Sequence, residues 1–135
     1  MLSSAIQSST IPILEQVVQF AQARHGVLAG NIANFDTPGY QTRDLSPEKF
    51  QARLRTAIEH REQSRTPISG ASLQSSDPFA GAGTSLDGIL YHDKNNRSLE
   101  HQVSAIADNE LQHNLALSLL TKQFQLLQTA ISERA

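Results

Sequence analysis

The stretch Leu28-Ala29-Gly30-Asn31-Ile32-Ala33-Asn34-Phe35-Asp36-Thr37-Pro38-Gly39-Tyr40 carries a helix and then stops it. The residue before a proline is pushed out of the helical region by the ring, so the helix must end at or before Asp36. Thr37-Pro38-Gly39-Tyr40 then reads as a type II turn. Pro38 fixes φ at the second position, and Gly39 accepts the positive φ of the third. Asn31 and Asn34 sit three apart on the last turns. Either can bond a partner or cap free carbonyls, because asparagine tolerates the left-handed geometry of a helix end.

The helix that arrives at this stop is predicted over residues 11–34, roughly 35 Å long. Ser9 or Thr10 serves as N-cap, Pro12 lies in the first turn, and Glu15 sits near the positive helix end. Leu14, Val18, Ala21, His25, Leu28, Ile32 and Phe35 form a heptad-like seam. Ile13, Phe20 and Val27 recur on a second face, and Ala23, Gly26, Gly30 and Ala33 make a third, small-residue face. From Gln16 to Phe35 the only formal charge is Arg24, whereas an ordinary surface helix keeps a charged outer face. The two interior glycines each cost about 1 kcal/mol against alanine, a cost that close approach of a neighbouring backbone would offset.

Before this helix, Met1 to Thr10 is Ser-rich, and the sequence leaves open a loose helical turn or no fixed structure until bound. After the turn, Gln41 to Leu45 is predicted extended. Ser46-Pro47-Glu48 reads as N-cap, first helical residue and acidic first turn of a short helix over 47–62. Phe50, Leu54, Ala57 and Ile58 give that helix a narrow apolar stripe. The segment from Arg43 to Arg65 is dense in charge, so this helix has a wet face. Residues 63–87 turn to Ser, Gly, Ala, Pro and Thr, the chemistry of a flexible loop. Gly88 to His92 predicts a short strand, and Asp93 to Asn96 a turn.

Ser98 or Asn96 caps a final helix over 98–133, with Glu100 in its first turn. Leu111, Leu115, Leu119 and Leu126 form one apolar seam. Leu117, Leu120, Phe124, Leu127 and Ile131 form a second, roughly 120–140° away. The remaining face, Asn114, Ser118, Thr121, Gln125 and Gln128, is polar but uncharged, and Lys122 is the one charge between Glu110 and Glu133. One helix partner covers one seam, so terminal helices with two seams each imply apolar surface shared with other molecules. A few hundred Å² of surplus per helix is worth several kcal/mol per contact at about 25 cal/mol per Å². Repeated head-to-tail contacts of that kind build rings or helical filaments.

Composition removes several alternatives. A chain of 135 residues is one domain by size. With 39% hydrophobic residues, 5% aromatic and no Trp, its core must be built mostly from Leu, Ile, Val and Ala. A net charge of −2 leaves no footprint for nucleic acid. There is no cysteine, so neither disulfides nor thiolate metal sites exist. No run of eighteen apolar residues predicts a membrane span. The first ten residues lack a basic region followed by an apolar stretch, so no cleavable secretory signal is expected.

Catalytic chemistry finds no support. His25, His60, His92, His101 and His113 form no i, i+4 pair suited to zinc and no His-Glu-x-x-His. His25 falls on an apolar seam, where a hydrogen-bonded core or interface histidine is expected. Asp108 and Glu110 diverge on a helix, and Gly81-Ala82-Gly83 lacks the strand and Lys-Ser/Thr of a phosphate loop. No cofactor and no metal are expected.

A near-terminal helix ending in Asn31-Ile32-Ala33-Asn34-Phe35-Asp36-Thr37-Pro38-Gly39-Tyr40 resembles the N-terminal signature of bacterial flagellar rod and hook proteins. The short length and the leucine-rich last helix narrow the resemblance to the proximal rod type (the FlgB type). It covers about residues 11–50 and 90–132, with Ala107-Asp108-Asn109-Glu110-Leu111 and Leu119-Leu120-Thr121-Lys122-Gln123-Phe124 again similar to the family. It departs at Arg97 and Ser98, which stand where the family has Val and Asp.

The resemblance implies a mainly α fold in which long N- and C-terminal helices pair as a coiled-coil-like unit, with a short middle helix and an irregular central segment. The segments would be 1–42, 43–97 and 98–135. It implies a structural, non-enzymatic rod subunit that assembles by helix–helix packing into the axial tube passing torque from motor to hook. The C-terminal helix would face the central export channel, for which its uncharged polar face is suited.

The expected assembly interface is Leu14, Val18, Leu28, Gly30, Asn31, Ile32, Asn34, Leu115, Leu119, Leu120, Phe124, Leu127 and Ile131, with Thr37, Pro38, Gly39 and Tyr40 as the turn. Expected partners are further copies of the chain, other rod proteins, the rod-to-membrane-ring adaptor, the membrane-ring protein and the flagellar type III export apparatus. The expected location is the rod crossing the periplasm. Two rival classes remain: a cytoplasmic helical adaptor or export chaperone, and a small enzyme using His and carboxylates.

Overall fold

The computed structural model of the chain describes residues 2–65, 90–92 and 99–133. Residues 66–87 of the loop predicted over 63–87, the Asp93–Asn96 turn and the cap of the last helix lie outside the described residues, while residues 63–65 belong to a helix.

The element order is α1 (Leu2–Ser8), α2 (Ile11–Ala33), β1 (Arg43–Leu45), α3 (Pro47–Arg65), β2 (Leu90–His92) and α4 (Leu99–Ser132). The fold is mainly α, with the two long helices near the chain ends as its frame. The Ser-rich start forms the short helix α1. Between α1 and α2, the Ser9 hydroxyl accepts from the Ile11 N–H at 3.2 Å, while Thr10 makes no side-chain cap. Pro12 sits in the first turn, where its missing N–H leaves nothing unsatisfied.

α2 packs most extensively against α4. Asn31 Nδ2 meets Gln102 Oε1 at 3.0 Å, and Asn109 Nδ2 meets the Ala21 carbonyl at 2.7 Å. Rising numbers on α4 therefore match falling numbers on α2, and the pair is antiparallel. α4 has 34 residues and α2 has 23. At about 1.5 Å per residue, the C-terminal part of α4 runs past the start of α2.

The other side of α2 is covered by β1 and α3. Phe20, Leu45 and Phe50 form a small buried core, with Val17, Ala23, Val27 and Leu54 packed against it. The Phe20 and Phe50 rings stack at 4.1 Å between centroids and 5° between planes. Arg61 of α3 donates to the Ser9 carbonyl at 2.9 Å, which sets α3 antiparallel to α2. This layout explains why α2 carries almost no charge: it is the middle layer. It also corrects one expectation, because the second face of α2 finds Leu45 and Phe50 within the chain and is not surplus.

α3 begins as the sequence predicts. The Ser46 hydroxyl accepts from the Lys49 N–H at 3.3 Å and donates to Glu48 Oε2 at 3.0 Å. The helix runs to Arg65, three residues past the expected end at 62. β1 and β2 form a two-stranded antiparallel ribbon that pairs Arg43 with His92, Asp44 with Tyr91 and Leu45 with Leu90. No described helix is long and apolar enough to cross a membrane.

Candidate assembly interface

The signature stretch holds the fold together from inside. Asn31 is fully buried and makes four hydrogen bonds. Its Nδ2 donates to the Arg43 carbonyl at 2.6 Å and to Gln102 Oε1 at 3.0 Å. Its Oδ1 accepts from the Arg43 N–H at 3.0 Å and from the Tyr40 hydroxyl at 3.1 Å. The side-chain amide thus exchanges both bonds with the Arg43 backbone, as a neighbouring strand residue would. One residue ties α2 to the turn, to β1 and to α4.

Asn34 closes the helix. Its Nδ2 donates to the Gly30 carbonyl at 2.8 Å, adding a second bond to the one that carbonyl accepts from the Asn34 N–H at 3.1 Å. Its φ is −104°, so it caps through its side chain and not by the left-handed geometry the sequence suggested. The next residues form the predicted turn. Tyr40 N–H donates to the Thr37 carbonyl at 3.2 Å, and Gly39 has φ +76°. Tyr40 leaves this turn aimed back at Asn31, so the turn sets the direction in which β1 starts.

Arg24, the one formal charge of α2 after Glu15, forms a two-pronged pair with Asp44 of β1. Nε reaches Oδ1 at 2.9 Å and Nη2 reaches Oδ2 at 3.0 Å. The fork fixes geometry as well as charge. Nearby, the Glu48 carboxyl is held below its ordinary pKa, chiefly by a backbone hydrogen bond and then by the Ser46 hydroxyl, with burial opposing and Arg24 adding a smaller pull.

α4 is arranged differently from α2. Its buried residues are Gln102, Asn109 and Ala116, each seven apart. This seam is polar and small, so neither leucine seam is the one buried against α2. Among the described residues, nine of the ten exposed large hydrophobics lie on α4: Leu99, Val103, Leu111, Leu115, Leu117, Leu119, Phe124, Leu126 and Ile131. Leu111 is 70% exposed, Leu115 60% and Leu126 63%. At 100° per residue, Leu115, Leu119 and Leu126 lie on one side of the buried seam, and Leu117, Phe124 and Ile131 on the other. The far face, Asn114, Ser118, Thr121, Gln125 and Gln128, is exposed.

The residues expected at the interface divide accordingly. Leu28 and Asn31 are buried inside the chain and cannot meet another molecule directly. Leu14, Val18, Gly30, Ile32, Asn34, Leu120 and Leu127 are half-buried, while Leu115, Leu119, Phe124 and Ile131 are exposed. His25 is also exposed, contrary to a core placement. A Cβ built on Gly26 or Gly30 meets nothing within 4 Å, so among the described residues no other segment approaches either glycine. Sequence reasoning missed Gln102, Asn109 and the Arg24–Asp44 pair. The heptad repeat of Gln102, Asn109 and Ala116 was visible, but it carries no hydrophobic signal.

A helix pair that buries Asn31, Asn109 and Ala116 at its seam and leaves most leucines of α4 exposed defines a class: a helical structural protein with apolar surface to spare. No family model matches the chain. The chain is 30% identical over 120 residues to the flagellar basal body rod protein FlgB of Escherichia coli K12, a match covering 82% of this chain and 84% of that protein. It is 28% identical over 129 residues to FlgB of Aquifex aeolicus VF5, covering 93% and 94%. It is 25% identical over 125 residues to FlgB of Bacillus subtilis 168, covering 93% and 95%. The chain belongs to the FlgB family of flagellar basal body rod proteins, structural subunits of the rod.

Proposed function

We propose that this chain is a subunit of the proximal rod that joins its neighbours through the two exposed flanks of α4. It assembles into an axial tube that carries torque from motor to hook, and it is exported through the flagellar type III apparatus. Its neighbours are further copies, other rod proteins and the adaptor that joins rod to membrane ring.

The observation that carries this reading is the exposed apolar surface of α4, concentrated on one helix. Soluble monomers rarely leave that much contiguous apolar area to water. Burying several hundred Å² of it between subunits is worth roughly 25 cal/mol per Å² before the cost of association. The uncharged far face of α4 suits a channel wall, since it would not hold charged chains in transit. The work of such a subunit is mechanical, and no residue is assigned a catalytic role.

The test is fractionation of cells carrying a tagged chain, unaltered or with Leu115→Glu and Leu119→Glu. The unaltered chain should co-purify with basal bodies, and the variant should fold but fail to incorporate. Recovery of the unaltered chain only from the soluble cytoplasm would overturn the reading in favour of an adaptor or chaperone.

A further inference from the structure

One side of the α2–α4 seam is open. A groove of about 480 Å³ runs there, with Val18 and Ala21 of α2 and Leu117 of α4 among its apolar walls and Glu110 on its α4 side. Asn109 also lines it, and the Asn109 Oδ1 is buried with no hydrogen-bond partner among the described residues. An unpaired buried acceptor is costly, and a donor brought by an occupant would relieve it.

The opposite side of α4 carries a ridge. Leu115, Leu119, Lys122 and Leu126 follow i, i+4, i+7 and i+11 spacing, which places them on one helical face. Leu115, Leu119 and Leu126 are among the exposed large hydrophobics, and Lys122 is exposed. Glu110 and Lys122 make no ion pair among the described residues. The groove thus has an apolar floor and a polar rim of Gln22, His25, His113 and Asn114 in which Glu110 is the one carboxylate, and the ridge is apolar with a single base.

We propose that the Leu115–Leu119–Lys122–Leu126 ridge of one copy seats in the α2–α4 groove of the next copy, with Lys122 against the neighbour's Glu110. This rests on the rod-subunit reading and specifies its copy-to-copy contact. Donor and acceptor faces lie on opposite sides of one helix, so they cannot satisfy each other within a closed pair. The contact is heterologous and propagates from copy to copy, which is the geometry of a ring or a helical array. The ridge supplies hydrophobic filling, and the lysine ammonium, with three donors and no acceptor, suits the Glu110 carboxylate, which offers only acceptors.

The absence of native cysteine makes the test direct. Glu110→Cys and Lys122→Cys chains are expressed separately and together in cells, and basal bodies are isolated and oxidised. Cross-linked dimers should form between unlike chains and not within either single-variant population. Charge reversal gives a second readout: Glu110→Lys or Lys122→Glu alone should lower incorporation by about tenfold or more, and the two together should restore it. Incorporation without a 110–122 cross-link, or cross-linking of Glu110→Cys to itself, overturns the proposal while leaving the rod reading intact. Absence of the unaltered chain from basal bodies overturns both.

Discussion

Asn31 and Gln102, 71 residues apart in the chain, meet side chain to side chain at 3.0 Å inside the α2–α4 pair. The contact joins the helix that ends in the Pro38–Gly39 turn to the helix that carries the exposed leucines. A helix-stop signature and a C-terminal helix are thereby locked in one register, and the flanks of α4 are presented at a fixed angle to the turn.

Asn31→Ala removes four hydrogen bonds and strands Gln102 Oε1, the Tyr40 hydroxyl and both backbone groups of Arg43. With net values near 1 kcal/mol per bond and further cost for buried groups left unpaired, the expected loss is about 3 kcal/mol. Asn34→Ala loses one capping bond and should cost about 1 kcal/mol. Urea unfolding of the purified chain, with hydrogen exchange at Arg43 and Tyr40, checks both values. Equal effects would contradict the central place given to Asn31.

The glycines separate conformation from contact. Gly39→Ala forces a side chain onto φ +76° and should destabilise by about 1–2 kcal/mol. Gly26→Ala and Gly30→Ala add a Cβ to open space on a helix and should each stabilise the isolated chain by about 0.5–1 kcal/mol. Gly30→Leu should then block incorporation, provided a neighbouring subunit approaches that face. Normal incorporation of Gly30→Leu would show the small-residue face is not a contact.

The Arg24–Asp44 fork is partly buried, with side chains 11% and 14% exposed. Asp44→Asn takes the negative charge out of the fork and should cost about 2 kcal/mol. Arg24→Lys keeps the charge but not the two-pronged geometry, so it should recover only part of that stability. Chemical denaturation of the two variants and the parent decides this, and a Lys variant as stable as the parent would contradict it.

Glu48 has a folded-state pKa below its ordinary value. Its contribution is therefore complete above the unfolded pKa and is lost as pH falls through the folded one. Carbon-13 NMR titration should find Glu48 titrating below an ordinary glutamate, and Ser46→Ala should raise it. The start of α3 should fray on acidification over that range.

Much of the frame was legible because it is local. The end of α2, the type II turn, the Ser46 cap and both short strands follow from residues within a few positions of one another. The partners were not legible. Hydrophobic periodicity assigns seams to leucine, but the seam of α4 within the chain is Gln102, Asn109 and Ala116. There, small size allows close packing, and Asn109 bonds the α2 backbone at Ala21. Likewise the pairing of Phe20 with Phe50, and of Arg24 with Asp44, depends on how the turn redirects the chain. The leucines pointed correctly to surplus surface, but the surplus belongs to α4 and hardly to α2.

The central claim is that the outward leucines of α4 are covered by neighbouring subunits. Imaging of isolated basal bodies at side-chain resolution tests it most directly. Leu115, Leu119, Phe124 and Ile131 should each lie buried against another chain, with Asn31 still bonded to Gln102 within its own. Flanks of α4 left bare to solvent in the assembled rod would contradict it.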